Sequence, residues 1–455
     1  MKCRIVKSKD VLKNKRFDGS YHNADVNIYN DVITSHSEHK LKYYCSSIFT
    51  SGRNKRIYTE PEYGDPFLSN ADVSAQDPLM SCKYSSKKYG YDESAVLKGG
   101  MILTGRVGAI GQTSFVPKYW ERYNAMGSDN IIRIVVKPEY KNGFIYAYLA
   151  SKVGNLSFWK HATGGVQPFI TDVMVGDLPI PNFSESFQQE VDELIQEAAR
   201  LREEAAEALE NAKRLIIEFC NQPFKKKSGK NIGKINSSKL LHSLNSRFDA
   251  PVYINDGVNW TKTLSKETVL LGDCNIKTWY PGMFKRSYVK NGYPYIKGSE
   301  LFLSDPFRKC EQLSRSRTPK LDELWLKEGQ LLISCAGACG FIKLITKEYD
   351  EKQAIGSPDI IRLVSDDSLF TKEYLFAYLQ IPAIYDYMQS LKYGSVIERF
   401  DISNIKTIPV VKPTPELSKL VTEIVMKYAD NIYRGYKAED KAISMVEAEI
   451  DKWNK

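Results

Sequence analysis

Residues 184–219 read SESFQQEVDELIQEAARLREEAAEALENAKRLIIEF, and this stretch decides the architecture. Apolar or small residues recur at Phe187, Val191, Leu194, Ala198, Leu201, Ala205, Ala208, Ala212, Leu215 and Phe219, in steps that alternate four and three. A 3.5-residue repeat keeps one stripe facing a partner helix over many turns, so the spacing predicts a coiled-coil seam. Glu, Gln, Arg and Lys fill the intervals, and neither Gly nor Pro interrupts. The helix should run roughly 50 Å at about 1.5 Å per residue. Pro179, Pro181 and Asn182 end what precedes it, while Ser184 and Glu185 supply a cap and a first-turn carboxylate.

A seam of that length needs a partner. Leu417, Val421, Ile424, Val425, Tyr428, Ile432, Tyr436, Ile443, Val446, Ile450 and Trp453 offer one near the C-terminus, after Pro409, Pro413 and Pro415. Its phase slips between Asn431 and Glu439, which predicts a stutter. The alternative is two amphipathic helices lying on separate cores. What stands upstream of each helix favours pairing within one chain.

Upstream of each, the same motifs recur in the same order, about 230 residues apart. Arg16-Phe17-Asp18 returns as Arg247-Phe248-Asp249. The glycine-bearing run Lys98–Gly111 returns as Lys327–Gly340, with Gly100, Gly108 and Gly111 matching Gly329, Gly337 and Gly340. Ser128-Asp129-Asn130-Ile131-Ile132-Arg133-Ile134 answers to Ser357-Pro358-Asp359-Ile360-Ile361-Arg362-Leu363, and Phe144–Leu149 to Tyr374–Leu379. Gly165 matches Gly394, and Leu178-Pro179 matches Ile408-Pro409. So long a period makes each copy a whole domain plus its helix.

The boundaries expected are a first domain (1–183), a central helix (184–222), a basic linker (223–246), a second domain (247–412) and a C-terminal helix (413–455). The fold class expected is α+β: two similar mixed α/β-type domains joined by two long helices that form an antiparallel coiled coil. Met101–Leu103 and Ile131–Val136 read as strands, residues 143–151 and 372–380 as one short helix per domain, and the glycine runs as tight turns.

At 455 residues the chain is long enough for two or three domains with real cores. A net charge of +9 and 28 tyrosines are compatible with a polyanionic partner. The opening residues carry no secretion signal, and no segment approaches a membrane span. Eight cysteines without framework spacing point to reduced thiols in cytoplasm.

Several chemistries are not written here. Methyl transfer to a base amine needs an Asn/Asp-Pro-Pro-aromatic turn, and Asp77-Pro78-Leu79-Met80 and Asn291–Tyr295 fall short of it. Gly229–Ile235 is one residue short of a phosphate-cradling loop and lacks its Ser or Thr, so it reads as linker. Cys335 and Cys339 invite a metal site, but their counterparts are Arg106 and Ile110, and the five histidines add no ligand-spaced cluster. No nuclease set of carboxylates is legible.

What remains is a basic and aromatic surface vocabulary suited to DNA. The candidates in the first domain are Arg53, Lys55, Arg56, Lys87, Lys88, Arg106, His161 and Gln167. In the second they are Lys285, Arg286, Arg315, Arg317, Lys392 and Arg399. Lys and Arg neutralise phosphates, and Arg, Asn and Gln read base edges. The bland reading of such loops is solvated surface.

The duplicated order of these motifs resembles the specificity subunits of type I restriction-modification enzymes. The resemblance spans essentially the whole chain: the Leu103–Gly111 turn, the late glycine stretch, the Leu178-Pro179 and Ile408-Pro409 boundaries, and the long helices. Gln188-Gln189 approximates the Glu-Gln pair often found after the boundary prolines, whereas Pro415–Ser418 has no Gln. The resemblance implies two target-recognition domains, each reading half of a split double-stranded DNA target, with the helices as a ruler. It further implies two methyltransferase subunits that bind S-adenosylmethionine and modify adenine, and restriction/translocase subunits that use ATP and Mg2+. The chain itself would hold no cofactor and do no covalent chemistry. A fused restriction-methylation enzyme and a non-catalytic interaction scaffold are the alternatives.

Overall fold

The computed structural model describes residues 6–14, 17, 21–22, 24–53, 55–80, 82–89, 91–164, 167–226, 232–241, 247–337 and 339–453. Arg16, Asp18, Gly165 and, in the Gly229–Ile235 near-motif, Gly229, Lys230 and Asn231 lie outside them. The chain divides into two compact units, residues 1–203 with 434–455 and residues 204–433. Each unit therefore contains half of each long helix, where the sequence reading set the helices apart as segments of their own.

Among the described residues of the first unit eight strands make two sheets: β1 (Cys45–Phe49), β2 (Tyr58–Thr59), β3 (Gly64–Leu68), β4 (Lys83–Ser86), β5 (Ile102–Gly105), β6 (Thr113–Phe115), β7 (Met126–Gly127) and β8 (Ile131–Val136). One sheet has the order β1-β8-β5-β6 and the other β2-β4-β3-β7. The second unit opens with β9 (Thr268–Leu270), then has β10 (Ile276–Trp279), β11 (Tyr288–Val289), β12 (Tyr293–Ile296), β13 (Glu311–Leu313), β14 (Leu331–Ser334), β15 (Ile342–Leu344), β16 (Ile355–Gly356) and β17 (Ile360–Ser365), and closes with β18 (Pro409–Val411). Its sheets run β10-β17-β14-β15 and β11-β13-β12-β16, the same two orders, with β9 and β18 paired in addition. Register repeats too: Leu103 stands opposite Arg133, and Leu332 opposite Arg362. The two units are copies of one fold.

Each copy is held at the same corner. The chain leaves one sheet at β7 or β16, turns, and enters the centre of the other as β8 or β17. An arginine between apolar residues of that central strand is fully buried. Arg133 donates to the carbonyls of Ser128 (3.2 Å), Ile131 (2.7 Å), Ala95 (3.2 Å) and Gly127. Arg362 donates to Ser357 (3.3 Å), Ile360 (2.9 Å), Leu324 (3.4 Å) and Gly356 (3.0 Å). These partners match position for position. A Cβ on Gly127 or Gly356 would stand 2.9 or 2.8 Å from the guanidinium, so only glycine leaves it room. Burial pushes both guanidinium groups down to about 10, and they remain charged at neutral pH.

After the central strand each copy has a pair of helices, Asn142–Ala150 and Lys152–His161 in the first, answered by Lys372–Tyr378 and Pro382–Leu391 in the second. The second of each pair corrects the expectation of one short helix per domain. Ser151 caps Lys152–His161 by accepting from Gly154 N at 3.1 Å. The segment reads as loop from sequence because Gly154, Asn155 and Ser157 blur its period.

The long helices span Glu185–Cys220 and Pro415–Trp453. Ser184 Oγ accepts from Phe187 N at 3.3 Å, and Thr414 Oγ1 from Leu417 N at 3.2 Å, so the caps also repeat. In the first unit Val191 and Ile195 share a core with Ala442, Ile443, Val446 and Ile450. In the second, Ala205, Leu209, Ala212, Ile216 and Cys220 share one with Val421, Val425 and Tyr428. The first half of one helix thus meets the last half of the other, and the pairing is antiparallel.

The buried stripe is broader than the seam expected. Phe187, Leu194, Ala208, Leu215 and Phe219 are half-buried, whereas Ile195, Leu209, Ile216 and Cys220 are buried. Each helix faces both its partner and the sheet domain of its own unit, which widens the apolar face. From Val191 to Cys220 the stripe takes eight steps over 29 residues, and it recurs at Val421, Val425, Tyr428, Asn431, Gly435, Glu439, Ala442, Val446 and Ile450. No stutter is present. The phase slip expected between Asn431 and Glu439 arises because polar and small residues occupy buried positions there. Glu439 is held by Arg202 and by the Tyr146 hydroxyl, and Asn431 Nδ2 donates to Glu204 at 3.2 Å.

Candidate nucleic-acid interface

The candidate residues fall into two groups in each unit. In the first unit one group lies on the β2-β4-β3-β7 sheet and its flanking loops. Arg53 Nε donates to Asp129 Oδ2 at 3.1 Å, and Arg56 holds the other carboxylate oxygen while its guanidinium lies 4.8 Å from the Phe67 ring centre. Lys55 is exposed. Lys87 pairs with Asp65 at 3.5 Å, and Lys88 sits 5.2 Å above the Tyr89 ring. Arg106 joins them through its backbone, donating to Asn130 O at 2.8 Å next to Asp129. The Ser128-Asp129-Asn130 turn therefore gathers Arg53, Arg56 and Arg106, which stand far apart in sequence.

The second group is a hairpin behind the glycine turn. Thr163 and Phe169 exchange backbone bonds of 2.9 and 2.7 Å, and Ile170 N donates to Arg106 O at 2.9 Å. Gly164 has a left-handed φ of +98° and its counterpart Gly394 one of +102°. Gly164, not Gly165, is therefore the residue that matches Gly394. The hairpin requires a left-handed residue at that place, which glycine takes without strain. Gln167 is exposed within this hairpin. His161 ends the preceding helix with Nδ1–H donating to Ser157 O at 2.9 Å, and burial lowers its pKa.

The second unit repeats this plan with different side chains. Lys285 and Arg317 are exposed. Arg286 Nε donates to the Tyr295 hydroxyl at 2.8 Å. Arg315 bonds Gln353 Oε1 at 2.7 Å and lies 4.6 Å above the Tyr293 ring. Lys392 is paired with Glu398, and Arg399 is exposed beside it. At the place of Asp129 stands Pro358, and the carboxylate of the next residue, Asp359, acts on Arg286. Tyr58, Lys83, Tyr280, Met283, Val396 and Ile397 are also exposed on these loops and strands and were not singled out from sequence. Alternation along the short β2 strand could have flagged Tyr58.

Cys335 and Cys339 are buried thiols that donate to the carbonyls of Asp359 (3.1 Å) and Glu398 (3.3 Å). Burial pushes the Cys335 thiol up to about 11. Among the described residues no group of three or more His, Cys, Asp or Glu side chains is placed to hold a metal ion, and no helix is long and apolar enough to cross a membrane.

Asp129 is nearly buried, but Arg53 is three-quarters exposed, and an exposed ion pair of this kind is worth about 0.2 to 1 kcal/mol. Arg53 can leave it for a phosphate at little cost. Asp129→Asn is expected to raise non-specific DNA affinity several-fold at 0.1 M salt. It should also steepen the slope of log affinity against log salt by about 1 to 2, because two cations are released. Fluorescence anisotropy on random-sequence duplex checks this, and an unchanged slope would refute it.

Residues 274–437, which hold β10 to β17 and run into the C-terminal helix, match the family model described as type I restriction modification DNA specificity domain. No curated protein matches the chain. Among solved structures it is similar to the S subunit of the type I restriction-modification system from M. genitalium, at 13% identity over 91% of this chain and 94% of that one, with a TM-score of 0.33. It is similar also to the HsdS subunit from Thermoanaerobacter tengcongensis, at 14% identity over 91% and 95%, with a TM-score of 0.27. A third structure, described as the basis of complex assembly and conformational transition of the type I R-M system, matches at 14% identity over 91% and 94%, with a TM-score of 0.27.

The two units are thus one duplicated domain, each copy carrying cationic and aromatic side chains on its loops. The family match places a type I restriction modification DNA specificity domain at residues 274–437, in the second copy.

Proposed function

We propose that the first unit reads one half of a bipartite double-stranded DNA target and the second unit the other half, with an unread spacer between them. The observation that carries this is a conserved interior under divergent surfaces. Strand order, register and buried arginine are the same in both copies, whereas Asp129 is answered by Pro358, and Gln167 by Ile397. Copies that read one sequence would have no need to differ there. The candidate cations supply the phosphate contacts that fix position, and the loop tips supply base contacts.

In this reading the long helices set the spacer and dock two methyltransferase subunits. Those subunits carry S-adenosylmethionine, and restriction/translocase subunits carry ATP and Mg2+. The chain chooses the site in the cytoplasm and performs no covalent step itself. Expression with its methyltransferase partner, followed by mapping of methylated adenines, tests this. Replacing residues 1–183 by the same segment of a relative should change one half-site and leave the other and the spacer intact. A change in both halves would defeat the modular reading.

A further inference from the structure

The hairpin of the second unit carries two aliphatic side chains in water. Val396 is 93% exposed and Ile397 65% exposed. They sit between Gly394 and Arg399, and the loop behind them is firmly held. Tyr393 and Arg399 exchange backbone bonds of 2.8 and 2.9 Å, Gly337 N donates to Glu398 O at 3.0 Å, and Phe400 N donates to Cys335 O at 3.1 Å. The tip is a fixed projection backed by the glycine turn. Single exposed aliphatics are ordinary. Two adjacent ones on a braced tip, flanked by the exposed Arg399 and with Tyr393 also exposed, mark a surface that is covered in use.

The counterpart in the first unit identifies the cover. The closing bridges Thr163–Phe169 and Tyr393–Arg399 align the two hairpins, and Ile397 then stands where the first unit has Gln167. Glutamine pairs two-fold with the major-groove edge of adenine, and aliphatic side chains pack on the 5-methyl group of thymine. Both are contacts to base edges from one position. At the position of Ile397 a wedge between base steps would be apolar in both copies, and glutamine is not; Val396, answered by Val166, is common to both tips. We propose that the hairpin tips are the base-reading elements, with Val396 and Ile397 recognising thymine methyl groups in the half-site of the second unit and Gln167 recognising an adenine edge in that of the first. This rests on the reading of the units as DNA readers.

The test uses the complex with its methyltransferase subunits and the target found by methylation mapping. Deoxyuridine replaces each thymine of the second unit's half-site in turn, which removes only the methyl group. Binding by the unaltered complex should weaken about 4-fold at one or two positions, the factor that corresponds to about 0.8 kcal/mol per buried methyl. The double variant Val396→Ser with Ile397→Ser should not distinguish thymine from deoxyuridine, and its salt slope should equal that of the unaltered complex, because no phosphate contact is lost. Both residues are exposed, so the variant keeps its fold.

A half-site without an A·T pair, or equal binding of thymine and deoxyuridine throughout, would overturn the proposal. So would a binding-induced rise in 2-aminopurine fluorescence that the variant abolishes, which would assign a wedge. A variant that binds DNA normally but loses its methyltransferase subunits would assign the tip to protein contact and equally overturn it. If no bipartite motif is methylated at all, the underlying reading fails as well; a motif indifferent to the methyl groups removes only this inference.

Discussion

Arg362→Met is expected to unfold the second unit selectively. The substitution leaves four buried carbonyls without their charged donor. Each buried group left unpaired costs about 1 to 3 kcal/mol, so even the lower bound gives a loss of about 4 kcal/mol. That is a large fraction of what holds a domain of this size. Because each unit has its own cores, urea denaturation should split into two transitions, with the earlier one reporting the second unit. Arg133→Met should move the other transition instead. Arg362→Lys should recover little, since an ammonium has no planar fork to reach carbonyls on both sides of the corner. A shift below about 1 kcal/mol in Arg362→Met would show that the corner holds without its arginine.

The second large effect concerns the spacer. Removing residues 196–202 and 433–439 takes one heptad from each long helix at facing positions, and it deletes Arg202 and Glu439 together, so neither charge is left buried alone. Seven residues turn a helix to within about 20° of its starting face, and the apolar stripes therefore still meet. Each helix shortens by about 10.5 Å, close to three base-pair steps at about 3.4 Å. Methylation mapping should return the same two half-sites with a spacer about three base pairs shorter. That change also swings one half-site about 100° around the duplex, given about 10.5 base pairs per turn, so the variant should methylate more slowly. A spacer of unchanged length would end the ruler reading.

Much of the plan was legible because its signals are spacings. The long helices and the doubled motifs could be read directly, and the matched Ile-Ile-Arg strings marked equivalent strands. The role of the arginine in them was not legible: its four partners are backbone carbonyls, which leave no trace in side-chain identity. Nor could Asp129 be linked to Arg53 and Arg56, because the turn that holds the carboxylate lies more than 70 residues from the cations it gathers. The apparent stutter came from equating buried with apolar. Asn431, Gly435 and Glu439 keep the stripe in phase with polar or minimal side chains. Val396 and Ile397 were passed over for the opposite reason, since aliphatic residues near a glycine read as core until their exposure is known.

The arginine corner has a further consequence. Because it grips only main-chain oxygen, which every residue type possesses, its neighbours other than Gly127 and Gly356 can be exchanged without loosening it. Loops that meet the outside world are thereby released from duty in holding the interior. On the proposed reading, new preferences arise at the tips by ordinary substitution, one half at a time, while the interior that carries them stays unaltered.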